Sequence, residues 1–257
     1  MKRLMMAMAA GSVLFGVGSG TSIAQEEAQP DTMTPVELYA CNFNDGKGPA
    51  DLDAAVDKWN KWADKRRLNE YSAWNLMPFY RSASQEFDFI WLGTSPTARA
   101  LGAAQDEWLA TGGDVQEIFR QVFTCGVHAN YASLQLKAPA EREDPSNVVV
   151  SFSDCNMSDG ASFGEIAPAL AEWGTYLAAQ GSSAGMWVFF PAYGGGGETF
   201  DFKFVSSYAN YEDQGVDWDQ YSASGWQKAD ELFAGKLDCD SSRVYSAATI
   251  RTAETDD

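Results

Sequence analysis

Cys41-Asn42-Phe43-Asn44-Asp45-Gly46 and Cys155-Asn156-Met157-Ser158-Asp159-Gly160 are one short phrase written twice. The two cysteines that open it are 155 − 41 = 114 residues apart, and each has a partner at the same distance downstream, since 125 − 41 and 239 − 155 are both 84. At the shift of 114, Trp59 meets Trp173, and Leu52, Ala55 and Val56 meet Ile166, Ala169 and Leu170. At a shift of 113, one deletion later, Trp74 meets Trp187, Pro78 meets Pro191 and Tyr80 meets Tyr193. Phe87-Asp88-Phe89 meets Phe200-Asp201-Phe202 in the same register. The shift returns to 114 for Glu117 and Phe119 with Glu231 and Phe233, and for Tyr131 with Tyr245. So many matches in one register mark an internal duplication.

The duplication sets the expected domain plan: a first repeat over 36–137, a linker over 138–147 and a second repeat over 148–251. The linker is rich in Pro, Ala and charge, as connectors are. Residues 25–35 and 252–257 are polar and read as flexible ends. Residues 1–24 read as a signal peptide. Lys2 and Arg3 precede an apolar run from Leu4 to Val17, and Ser22-Ile23-Ala24 offers small residues for cleavage after Ala24. That run is too short and glycine-rich for a good membrane span, and no later stretch is long and apolar enough. A periplasmic or secreted protein without a membrane span is expected.

The full chain of 257 residues carries a formal charge of −18, with 36 acidic and 18 basic residues. Such a chain repels nucleic acid, having no basic patch to neutralise phosphates. With 45% hydrophobic residues, and nine Trp, ten Tyr and fifteen Phe, it has ample material for a core.

Within one repeat, Val36 to Phe43 reads as a strand stopped by the turn at Asn44-Asp45-Gly46. Leu52, Ala55, Val56, Trp59 and Ala63 then recur at three and four residues, one face of a helix. Ser162 and Glu165 fit a capping box before the matching helix in the second repeat. Ala73 to Tyr80 and Phe87 to Leu92 read as aromatic strands, Thr97 to Ala110 and Val115 to Phe123 as helices, and Ala129 to Lys137 as a closing strand matched by Arg243 to Arg251.

The order β-α-β-β-α-β is that of a ferredoxin-like unit. The expected fold class is α+β: tandem duplicated ferredoxin-like units. Two such units in one chain resemble the dimeric α+β barrel superfamily, which implies two ferredoxin-like sheets packed as a pseudo-dimeric barrel. Two separate ferredoxin-like domains side by side are the alternative. A fused pseudo-dimer is expected to be monomeric. An even number of cysteines in an exported chain implies disulfides, and four cysteines allow three connectivities. The resemblance chooses among them: its last strand lies antiparallel beside its first, which implies Cys41–Cys125 and Cys155–Cys239. No CxxC spacing points to a metal, and neither metal nor cofactor is read from the sequence.

Candidate catalytic residues are Asn42, Trp91, His128 and Asp88. His128 is the one histidine of the chain, and Ser242 stands at its place in the second repeat. It can serve as a general base or a ligand, or be incidental. Some members of the resembled superfamily are cofactor-independent monooxygenases or haem-degrading enzymes that use Asn, Trp and His around an aromatic substrate. Asn42 and Trp91 match the first two, whereas the His of those sites belongs on the second helix and His128 falls after it. Candidate ligand-binding residues are Trp74, Tyr80, Trp187, Tyr193, Asn156 and Asp201. Each has a plainer reading: turn chemistry for the Asn and Asp residues, core packing for the aromatics. Three functions follow: a binding protein holding an apolar or aromatic small molecule in the barrel, a cofactor-independent monooxygenase or isomerase, and a structural or interaction module.

Overall fold

The computed structural model describes residues 33–83, 85–141 and 146–254. The signal peptide expected at 1–24, most of the segment 25–35, linker residues 142–145 and tail residues 255–257 lie outside the described residues.

The first half runs β1 (Thr34–Phe43), α1 (Pro49–Arg66), β2 (Ser72–Tyr80), β3 (Phe89–Thr94), α2 (Ala98–Thr111), α3 (Gly113–Val122) and β4 (Phe123–Lys137). The second runs β5 (Asn147–Met157), α4 (Phe163–Ala179), β6 (Gly185–Tyr193), β7 (Phe202–Tyr208), α5 (Tyr211–Gln220), a π-helical turn (Tyr221–Gly225), α6 (Trp226–Phe233), β8 (Leu237–Cys239) and β9 (Arg243–Arg251). Local chemistry sets the helix ends. Pro49 occupies the first turn of α1, where its missing N–H costs nothing, and the Asp51 carboxylate accepts from the Gly48 N–H at 3.2 Å. Thr97 caps α2 by accepting from the Ala100 N–H at 3.1 Å. Glu165 accepts from the Ser162 N–H at 2.7 Å at the start of α4.

Eight strands form one closed antiparallel ring, β7-β6-β4-β1-β3-β2-β9-β5, sealed by the pairing of β5 with β7. The three-residue β8 adds to β5 outside the ring. This corrects the expected fold class. Tandem ferredoxin-like units would each keep a sheet with two free edges, whereas here β4 pairs with β6 (Leu134 opposite Val188) and β2 with β9 (Leu76 opposite Ala247). The edges of one half are consumed by the other, so a single barrel replaces two separate units. Residue periodicity within a strand says which face is buried and nothing about which strand lies alongside.

The alternation of each strand sorts its side chains to the two surfaces of the ring. Leu38, Leu76, Ile90, Phe152, Phe189 and Tyr245 are among the inward residues that form one contiguous buried cluster. The barrel interior is therefore a packed core. The ligand position expected inside the barrel is corrected accordingly: that volume is occupied by side chains. Outside the ring, α1 to α3 cover the first half and α4 with α6 the second. Phe89 and Phe202, at matching positions of the repeats, are fully buried beneath these helices. Truncating either to Ala costs about 3–5 kcal/mol in cores of this kind.

Two disulfides are present, Cys41–Cys125 between β1 and β4, and Cys155–Cys239 between β5 and β8. They fit an oxidising, extracellular compartment. No helix among the described residues is long and apolar enough to cross a membrane.

The second bridge closes a loop with a sequence separation of 84 residues. Replacing Cys155 and Cys239 together by Ser is expected to lower stability by about 3–5 kcal/mol, read by urea denaturation. A loss below about 1 kcal/mol would show that the bridge adds little to a barrel already closed by hydrogen bonds.

Candidate functional site

The helices of the first half do not pack flush on the sheet. Between them and the outer face of β1, β3 and β4 lies a cavity of about 550 Å³, within the ordinary range for small-molecule sites. Helix α1 contributes Trp59 and Trp62, which lie on the same buried stripe as Leu52, Ala55 and Val56. Helix α2 contributes Ala104, Gln105 and Trp108, and α3 contributes Phe119 and Arg120. The floor is Glu37 and Tyr39 of β1, Trp91 of β3, His128 of β4, Tyr71 and the Cys41–Cys125 bridge. The rings brace one another edge to face: Trp59 on Trp91 at 4.9 Å and Trp62 on Trp108 at 5.0 Å between centroids.

A β-bulge aims the floor residues. On β1, Tyr39 and Cys41 are two apart and share the outer face. On β4 their partners are His128 and Cys125, three apart, because the register shifts between Ala40 and Cys41. In a regular strand those partners would point to opposite faces; the extra residue turns both outward. The His128 ring consequently stacks on Tyr39, with centroids 3.7 Å apart and planes 14° from parallel.

Glu37 is the centre of the floor and only 4% exposed. A buried carboxylate costs several kcal/mol unless its oxygens are satisfied. Here Tyr71 Oη donates to Oε1 at 2.6 Å, while Gln105 Nε2 at 2.9 Å and Tyr39 Oη at 3.3 Å donate to Oε2. His128 Nε2 lies 3.3 Å from Oε2. Behind this set, Trp91 Nε1 donates to Tyr71 Oη at 3.0 Å. Burial works to raise the Glu37 pKa, yet the bonds from His128, Tyr71 and Gln105 outweigh it and hold the carboxyl below its ordinary range. Burial, and then the Glu37 charge, push the Tyr39 and Tyr71 phenols up, so both stay protonated donors. Gly93 makes room for the pair: a Cβ there would overlap Tyr71 Oη and lie 2.9 Å from Glu37 Oε1.

The second repeat lacks this arrangement. At the shift of 114, Glu37, Tyr39 and His128 become Ser151, Ser153 and Ser242. Ser153 and Ser242 share a 2.7 Å hydrogen bond where the first repeat stacks two rings. Ile166 and Leu170 of α4 pack directly on Val188 and Phe202, with Phe163, Phe190 and Phe204 around them.

Of the residues singled out by sequence, the structure brings Trp91 and His128 together at this cavity. Asn42 is exposed and donates to the Glu86 carbonyl at 3.1 Å. Asp88 accepts from the Phe43 N–H at 2.9 Å while its own amide bonds the Cys41 carbonyl. Asp201 repeats both bonds with the Met157 N–H, at 2.7 Å, and the Cys155 carbonyl. The duplicated Asp residues thus pin the strand ends beside each disulfide. Asn156 is exposed on β5. Trp74 and Trp187 pack against the barrel core. Tyr80 and Tyr193 are exposed at the far ends of β2 and β6. Glu37, Tyr71 and Gln105 were not singled out. A charged residue within the apolar run of β1, replaced by Ser151 in the other repeat, was the available signal for Glu37. Among the described residues, no group of three His, Cys, Asp or Glu is placed to hold a metal ion.

No family pattern matches the sequence, and no curated protein matches it at the sequence level. Solved structures do. A haem-binding protein from Thermus thermophilus superposes with a TM-score of 0.51 at 10% identity, over 85% of this chain and 94% of the other. A candidate monooxygenase from Lactobacillus acidophilus gives 0.53 at 12%, over 85% and 94%. A chlorite dismutase variant from Candidatus Nitrospira defluvii gives 0.52 at 9%, over 86% and 93%. The likeness is one of fold.

The depressed Glu37 pKa has a definite sign for stability. Ionised Glu37 favours the folded state above the ordinary carboxylate value, and this gain is lost as pH falls through the lowered folded-state value. The stability difference between wild type and Glu37→Gln is therefore expected to be constant above about pH 5 and to shrink below about pH 4. Urea denaturation across that range reads it, and a difference that grows on acidification contradicts the assignment.

Proposed function

We propose that this chain is an exported binding protein for an apolar or aromatic small molecule, held in the cavity beneath α1, α2 and α3. The observation that carries this reading is one cavity of about 550 Å³ walled by Trp59, Trp62, Trp91, Trp108 and Phe119 and floored by a single ionised carboxylate. Aromatic walls supply dispersion and area burial, and a few fixed polar groups supply orientation. The two disulfides support a life outside the cytoplasm, in keeping with the proposed signal peptide.

Haem deserves its own test because a fold neighbour binds it. His128 is the sole histidine, and its Nε2 faces Glu37 at 3.3 Å. Its other nitrogen adjoins the carbon that bears Cβ, so a macrocycle ligated there would meet the β4 backbone. Arg120, the one Lys or Arg in the lining, already pairs with Glu117 at 2.8 Å, leaving propionates without a free partner. The residues present do not fit axial ligation of haem, and the proposed ligand is a smaller molecule.

Titration with 1-naphthol, followed by calorimetry, tests the reading. Wild type is expected to bind saturably. Ala104→Phe, which pushes a ring into the cavity from α2, is expected to weaken binding at least about tenfold, or 1.4 kcal/mol, with an unchanged far-UV circular dichroism spectrum. Equal affinity in the two proteins would place the ligand elsewhere.

A further inference from the structure

We infer that the cavity takes a ligand with an acidic hydroxyl, a phenol or an enol, and that His128 accepts its proton. The inference rests on the reading of this cavity as a small-molecule site and adds a chemical step to it.

The tautomer of His128 follows from its neighbour. An ionised carboxylate only accepts hydrogen bonds, so the ring nitrogen facing Glu37 Oε2 at 3.3 Å carries the hydrogen. The lone pair is then on Nδ1, which has no hydrogen-bond partner among the described residues. The side chain is 49% exposed and lines the cavity, so a ligand can reach it. Stacking on Tyr39 fixes the ring plane. The crowding that bars a macrocycle from Nδ1 admits a hydroxyl.

The charged and titratable groups around the ring suit the product of the transfer. Glu37 and Tyr39 face it from β1, Tyr71 stands behind Glu37, and Arg120 of α3, paired with Glu117, shares the wall. In the transfer, the ligand O–H bond breaks with its electron pair kept on oxygen, and an N–H bond forms at Nδ1. The imidazolium then lies between the Glu37 carboxylate and the new oxyanion, and no oxidant or cofactor is consumed. Glu37 is a positioning residue: Tyr71 and Gln105 hold it ionised, and it holds the histidine tautomer. Serines at 151, 153 and 242 replace Glu37, Tyr39 and His128 in the second repeat.

The probe is 4-nitrophenol, whose neutral and anionic forms absorb at different wavelengths. It is bound to wild type, His128→Gln and Glu37→Gln at a pH where the free probe is mainly neutral. Wild type is expected to raise the anion-to-neutral ratio of the bound probe roughly tenfold over the free probe, one pKa unit. His128→Gln is expected to hold the bound probe at the anion-to-neutral ratio of the free probe. Glu37→Gln is expected to move the pH profile of the bound probe back toward that of free 4-nitrophenol, with near-UV circular dichroism reporting its fold. A neutral probe in wild type, or the same anion fraction in His128→Gln, overturns proton acceptance and leaves the binding reading standing. Failure of wild type to bind 4-nitrophenol and 1-naphthol alike, by calorimetry, overturns both.

Discussion

Neither half of this chain can finish a sheet on its own, and the cross-repeat ladders β4–β6 and β2–β9 are the constraint on which everything else depends. Each ladder satisfies backbone donors and acceptors that would otherwise be open edges, and together with β5–β7 they bend the strands into a ring. Once the ring is closed, its inner face is a filled core contributed equally by both repeats. Stability is thereby assigned to the inside and to the paired disulfides. The outer face under each set of helices is left free to diverge.

Divergence there is a matter of a few side chains. In the second repeat small serines stand at those places, and α4 settles onto the apolar residues beside them. In the first repeat, Glu37 occupies that surface and must be solvated by the protein itself. Tyr71, Gln105, Tyr39 and His128 do this from four separate elements of chain, and the bulky rings of α1 to α3 stand off the sheet around them. A hydrogen bond to a charged group contributes about 1.5–3 kcal/mol, so several are needed against a desolvation cost of several kcal/mol. The cavity and the buried charge therefore belong together. The β4 bulge completes the arrangement, because the same extra residue that lets Cys125 meet Cys41 brings His128 onto the face of Glu37.

Much of this was written in the sequence, though unevenly. The cysteine spacing and the repeated Asn-x-x-Asp-Gly phrase made the duplication legible, the resemblance to a ferredoxin-like unit chose the two bridges among three connectivities, and the periodicity of Leu52, Val56 and Trp59 made α1 legible. Strand partners were not, since period-two alternation is blind to which edge meets which, and tandem ferredoxin-like sheets packed as a pseudo-dimeric barrel were expected where strands of both halves pair into one closed ring. Matching residues between repeats drew attention to Asp88 and Asp201, whose shared role is to pin strand ends. The proposed site lies instead where the repeats differ, at Glu37, Tyr39 and His128. Of these, His128 stood out by being alone, while Glu37 was concealed by its neighbours in an apolar strand. The β4 strand begins at Phe123, earlier than the expected Ala129, because the disulfide and the bulge hold Phe123 to Val127 in register with β1.

One outer face of the pseudo-symmetric barrel is proposed to hold a ligand, while its counterpart is packed core. The nine indole N–H groups report on both faces and on the barrel core at once. In a nitrogen-15 tryptophan spectrum, each assigned by single substitution to Phe, addition of 1-naphthol should shift the signals of Trp59, Trp62, Trp91 and Trp108. Those of Trp173, Trp218 and Trp226 over the second half, and of Trp74 and Trp187 against the core, should stay in place. Shifts centred on Trp173 and Trp218, or on Trp74 and Trp187, would contradict the account by placing the ligand over the other repeat or within the barrel.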